Sequence, residues 1–179
     1  MFQLSPKTKI LTADQIDLPT GDNQQVQYVT AHFAQGKTPK RWKDFPDAES
    51  NWANLSPEEA RLMAEELKNA IVSGKVRQLW LSFDPWGEDD FLSVDFDRGR
   101  AALLYNAIDL CGITPCDPDR PDAWEDAHVD IGGQTAVPMA RALEDMDLVA
   151  RIILYFLENG KLSPETKWAV EPTGGLPWL

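Results

Sequence analysis

Apolar residues recur at helical spacing in two stretches of the chain and at alternate positions in several others. The clearest helix follows Ser56. Ala60, Met63, Ala64, Leu67, Ala70 and Ile71 form one continuous stripe, with Arg61, Glu65, Glu66 and Lys68 on the opposite side. Ser56 is suited to cap the first turn, Pro57 to occupy the first helical position, and Glu59 to complete a capping box. Gly74 marks the end. A second helix is predicted to open at Pro138. Met139, Ala142, Leu143, Met146, Val149, Ala150, Ile153 and Leu157 repeat along it, and Asn159-Gly160 closes it.

Strand periodicity dominates the segment between the helices. In Val76–Asp84, Leu79, Leu81 and Phe83 share one face and Trp80 and Ser82 the other. In Phe91–Asp97, Leu92, Val94 and Phe96 alternate with Ser93, Asp95 and Asp97. Pro85-Trp86-Gly87 and Asp97-Arg98-Gly99 supply turns between these runs and before Ala101–Asn106, so an antiparallel meander with one polar face is expected. Residues 109–124 read as a loop rich in Pro and Asp. His128–Ile131, Thr135–Val137 and Thr166–Val170 are further strand candidates, the last centred on Trp168.

The first 55 residues carry weaker signals. Lys9-Ile10-Leu11 and Gln25–Val29 suit short strands, and a loop with Trp42, Phe45, Pro46 and Trp52 follows. No composition break separates this stretch from the rest, so residues 1–179 are expected to form a single domain, with 1–55 as its N-terminal extension. The pattern is α+β: a mainly antiparallel sheet, built on a central three-strand meander, with two main helices packed on one face.

Charge narrows the partners. The net charge is −12, from 17 Lys and Arg against 29 Asp and Glu. It is one-sided along the chain: residues 84–150 hold sixteen acids and four bases, while the flanking segments are neutral. Such a surface repels phosphate backbones and anionic lipid, which disfavours nucleic acid and membranes as partners. No apolar run approaches the roughly 20 residues that cross a bilayer, and Met1–Lys7 lacks a leader pattern. Cys111 and Cys116 are too few for a secreted disulfide scaffold. A soluble, cytoplasmic protein is expected.

Catalytic chemistry finds little to stand on. Gly132-Gly133 and Gly174-Gly175 lack the context of a phosphate loop, and His32 and His128 are the two histidines. Cys111, Cys116 and His128 do not match a familiar zinc spacing. Asp84, Asp89, Asp90, Asp95 and Asp97 could hold a divalent cation or a hydrolytic carboxylate pair, Asp95 and Asp97 lying roughly 7 Å apart by strand rise. Arg98 and Arg100 stand ready to neutralise that pair. A binding role draws more support. Trp86 sits in a turn ahead of Glu88, Asp89 and Asp90, and Trp124 stands among Asp122, Glu125 and Asp126. Tryptophan amid polar rim residues is a favoured interface anchor, and these eight residues are the expected partner-binding set. The competing reading has both tryptophans folding back over the sheet, and the acids forming a solvated face.

The C-terminal third carries a family resemblance. Gly132-Gly133-Gln134-Thr135-Ala136-Val137-Pro138, the helix through Ala142 and Leu143, and Tyr155-Phe156-Leu157-Glu158-Asn159-Gly160-Lys161-Leu162-Ser163-Pro164-Glu165-Thr166-Lys167-Trp168 resemble the family numbered first among bacterial immunity proteins of polymorphic toxin and contact-dependent inhibition systems. Leu79–Tyr105 resembles that family's preceding strand pair, so about 100 of 179 residues are covered. The resemblance implies a small cytoplasmic protein that binds and neutralises a cognate toxin, often a nucleic-acid deaminase or nuclease. It implies no catalysis and no cofactor, and it assigns no binding residue. A metal-assisted hydrolase using the Asp-rich strand face, or a structural or regulatory subunit of another assembly, are the alternatives.

Overall fold

The computed structural model describes residues 9–16, 18, 25–45, 51–84, 90–107, 110–117, 128–131, 135–138 and 141–172. Its frame is an antiparallel seven-stranded sheet. In chain order the strands are β1 (Lys9–Leu11), β2 (Tyr28–Phe33), β3 (Val76–Ser82), β4 (Phe91–Asp97), β5 (Arg100–Ala107), β6 (Leu110–Cys116) and β9 (Lys167–Pro172), laid side by side as β1-β9-β6-β5-β4-β3-β2. A separate hairpin pairs β7 (His128–Ile131) with β8 (Thr135–Pro138) and lies beside β4 and β5. Both edges of the large sheet come from the N-terminal stretch, so residues 9–11 and 28–33 belong to the same sheet as the meander.

Helix α1 (Pro57–Val72) and helix α2 (Met146–Asn159) pack on one face. The α1 start matches expectation: the Ser56 hydroxyl accepts from the Glu59 amide at 3.2 Å, and the Glu59 carboxylate accepts from the Ser56 amide at 3.0 Å. That second bond, and after it the Ser56 hydroxyl acting on the carboxylate itself, hold the Glu59 carboxyl below the ordinary carboxylate range. Gly74 then takes the left-handed conformation, φ 71°, that turns the chain into β3.

The helix-side face of the sheet is apolar across its width. Register places Leu79 beside Val94 and Leu103, and Leu81 beside Leu92 and Tyr105. Met63, Leu67, Ile71, Ile153 and Phe156 of the helices close over them. Phe156 meets Phe83 and Tyr105 edge-on at 5.8 and 5.7 Å. Trp168 is fully buried at the β9 end, its indole N–H donating to the Ser163 carbonyl at 3.0 Å. At the opposite flank Trp42 is anchored by its indole N–H to the Met63 carbonyl at 3.1 Å, and Phe33, Phe45 and Trp52 ring it. The Trp/Pro loop is thereby tied to α1.

Three elements differ from expectation. The strand foreseen at Gln25–Val29 runs instead from Tyr28 to Phe33, where Val29 and Ala31 face the helices. Residues 110–116, part of the stretch read as a loop rich in Pro and Asp, form the interior strand β6. Its ladder to β9 continues through Cys116, but its ladder to β5 stops at Tyr105↔Ile113, two residues before Pro115, which has no N–H to offer. The gap so opened is filled by residues 141–143. Leu143 exchanges both backbone bonds with Ala101 at 2.8 Å, and the buried Arg141 guanidinium donates to the Thr114 hydroxyl at 3.2 Å. Helix α2 therefore begins at Met146 rather than Pro138. Asp145 caps it, accepting from the Asp147 and Leu148 amides at 3.1 Å.

Candidate functional site

The second face of the sheet, away from α1 and α2, is where the sequence and the fold leave side chains uncommitted to the core. Across β2, β3 and β4 the register sets up three rows on this face: Tyr28, Ser82 and Phe91; Thr30, Trp80 and Ser93; His32, Gln78 and Asp95. These nine positions include no lysine or arginine, and Asp95 is the one carboxylate.

Large and small residues lie on crossed diagonals of this grid. Trp80 stands opposite Ser93, and Phe91 opposite Ser82, so the two rings lean toward each other over the serines. They stack at 4.1 Å between centroids with planes 19° apart. Beneath them Ser82 and Ser93 are 2% and 1% exposed, while Trp80 and Phe91 themselves stay half-buried. Tyr28, Thr30 and Gln78 are also half-buried and His32 is exposed. The expected polar face is thus an aromatic platform on a polar, uncharged surround. Toward β5 the same face closes: Ala102 and Leu104 are buried where the β7–β8 hairpin lies.

Of the eight residues expected to bind a partner, the structure describes Asp90. It is 6% exposed, directly ahead of Phe91. Trp86, Glu88, Asp89, Asp122, Trp124, Glu125 and Asp126 lie outside the described residues. Alternation puts Trp80 on the side of β3 that carries Ser82, but nothing in the sequence singles out Trp80 or Phe91 as a site residue. What periodicity could not supply was the register that brings the two rings together.

The described carboxylates of residues 84–150 do not form one patch. Asp84 and Asp90 lie at one end of β4, while Asp97, Glu144, Asp145 and Asp147 gather at the other, some ~20 Å away along the strand. Part of this second group has structural work. Glu144 pairs with Arg100 at 3.0 Å, Asp145 caps α2, and Asp147 sits in its first turn, where the helix dipole favours an acid.

Among the described residues no group of three or more His, Cys, Asp or Glu side chains is placed to hold a metal ion. Asp97 approaches Arg98 at 3.9 Å, and Cys116 is a buried thiol donating to the Asp117 carbonyl at 3.6 Å. A concavity of about 660 Å³ lies between α1 and α2, walled by Val26, Trp52, Leu55, Leu154 and Leu157. Its rim is mixed in sign, with Arg61 and Lys68 beside Glu65 and Glu158, so it selects no charge. No described helix is long and apolar enough to cross a membrane. Comparison of the chain with models of protein families, with curated proteins and with solved structures finds no match.

Proposed function

We propose that this chain is a toxin-neutralising binding protein. It acts by covering a basic protein partner, a nucleic-acid-targeting deaminase or nuclease in the reading the family resemblance implies, and it makes or breaks no bond itself. The observation that carries the proposal is the Trp80–Phe91 stack, partly exposed on a sheet face that the helices do not use and that holds no lysine or arginine across its three rows. Aromatic anchors of this kind set the lifetime of a complex, and the net charge of −12 sets the rate at which a cationic partner arrives. The resemblance of Gly132–Trp168 to an immunity family points the same way from the sequence. Because no family model matches, the reading leans on the surface more than on kinship.

The test is co-expression with the product of the reading frame adjacent to this gene. That product alone is expected to arrest growth, and this chain to restore it with the two proteins co-purifying. Arrest that persists with both proteins present and soluble would refute the reading. Stopped-flow mixing adds the electrostatic arm. Glu88→Lys with Asp89→Lys should slow association and weaken its salt dependence; an unchanged rate removes these two carboxylates from the encounter.

A further inference from the structure

We propose that the Trp80–Phe91 stack receives an arginine of the partner, its guanidinium laid against the aromatic rings, and that this face discriminates against lysine. The inference rests on the binding reading above and adds the chemistry of the contact.

Charge selects a cation first. The chain carries −12 overall, and the nine described positions of the face contribute no lysine or arginine that would repel one. Shape then selects between the two cations. Stacking at 4.1 Å with planes 19° from parallel takes up the inner face of each ring and holds the partly exposed Trp80 indole rigid by cross-strand register, so a planar cation meets its flat outer face. A guanidinium is planar, weakly hydrated and able to stack on such a surface while its edge N–H groups still donate hydrogen bonds. An ammonium is a compact, strongly hydrated point charge and must shed water to reach the same place. The neighbouring positions suit the edge of a guanidinium. Gln78 and Thr30 flank Trp80 and are half-buried, each with a side-chain oxygen that accepts.

The experiment titrates the full-length chain with two capped peptides of alternating glycine, one bearing arginine and one lysine at equal charge and fixed salt. Affinity is measured by calorimetry for the wild type and every variant, and the contact is located in the wild type from the Trp80 indole N–H resonance, assigned by its loss in Trp80→Phe. The arginine peptide is expected to move that resonance and to bind ~3- to 10-fold more tightly than the lysine peptide. Trp80→Ala should abolish the preference while leaving the lysine peptide's weak, salt-sensitive binding in place. Trp80→Phe, which keeps a ring over Ser93, should retain most of the preference and covers the case in which the alanine variant fails to fold. Equal affinities for the two peptides, or a preference that survives Trp80→Ala, overturn the arginine assignment alone. Peptide binding that leaves the Trp80 resonance unmoved in the wild-type chain overturns it together with the use of this face by a basic partner.

Discussion

If Trp80 serves a partner rather than the core, its removal must cost far less than removal of a tryptophan that holds the fold. Trp168 provides the internal standard. It is fully buried among β1, β6 and β9, and its indole bonds the Ser163 carbonyl. Trp168→Ala empties a cavity, at about 3–5 kcal/mol, and leaves a buried carbonyl without its donor, at a further ~1–3 kcal/mol. Trp80→Ala loses the stack with Phe91, about 0.5–1.5 kcal/mol, and the contacts of a ring that is only partly buried. Ser82 and Ser93 become exposed, but hydroxyls pass into water at little cost. The expected sum for Trp80→Ala is about 1–2 kcal/mol. Urea unfolding followed by far-UV circular dichroism measures both variants on one scale. With a slope near ~2 kcal/mol/M, Trp80→Ala should move the midpoint by about 0.5–1 M and Trp168→Ala by at least twice that. Equal losses for the two variants would show that Trp80 is a roof over the sheet, and would refute the division of labour between the two faces.

Two other changes probe the frame. Ser56→Ala should cost about 1 kcal/mol at neutral pH, because the first turn of α1 loses its cap. Since the Ser56 bonds hold the Glu59 carboxyl below its usual range, their contribution is complete above the unfolded-state value. It is lost as pH falls through the lowered folded-state one. The gap between wild type and Glu59→Ala, followed by thermal melts at falling pH, should therefore narrow in acid; a gap that stays constant would mean that the Glu59 charge does not serve the cap. Leu143→Pro removes the amide that donates to the Ala101 carbonyl in the breach between β5 and β6. Loss of a buried bond with an unpaired acceptor left behind predicts about 1–3 kcal/mol, measured by the same urea series. A neutral result would mean that residues 141–143 do not seal the sheet.

What was legible in the sequence was whatever depended on local chemistry. Ser56, Pro57 and Glu59 announce α1, and the alternations Leu79-Leu81-Phe83 and Leu92-Val94-Phe96 fix both the meander and the face that the helices cover. The α+β architecture followed from those two signals. The misreadings share one cause, in that long-range pairing overrode local preference. Gly112 and Pro115 argue against a strand, yet β6 forms because β9 offers a full ladder beside it. Ala142 and Leu143 continue the helical period of α2, yet Leu143 is taken by the open edge at Ala101. The same limit applies to the surface. The carboxylate runs suggested a patch, but neighbours along the chain at Asp90 and Asp97 stand at opposite ends of one strand. The rings of Trp80 and Phe91, eleven residues apart, stack on each other because register places them on crossed positions of β3 and β4.

The central claim is that a basic partner docks on the second face of the sheet, over the Trp80–Phe91 stack. Its most direct test is the dissociation constant of the chain for the adjacent gene's product, measured by calorimetry at physiological salt for the wild type and for Trp80→Ala with Phe91→Ala. A loss of ~30-fold or more is expected of anchors worth about 2 kcal/mol together, with the circular dichroism spectrum unchanged. An affinity within twofold of wild type in the folded double variant would place the partner elsewhere and contradict the account.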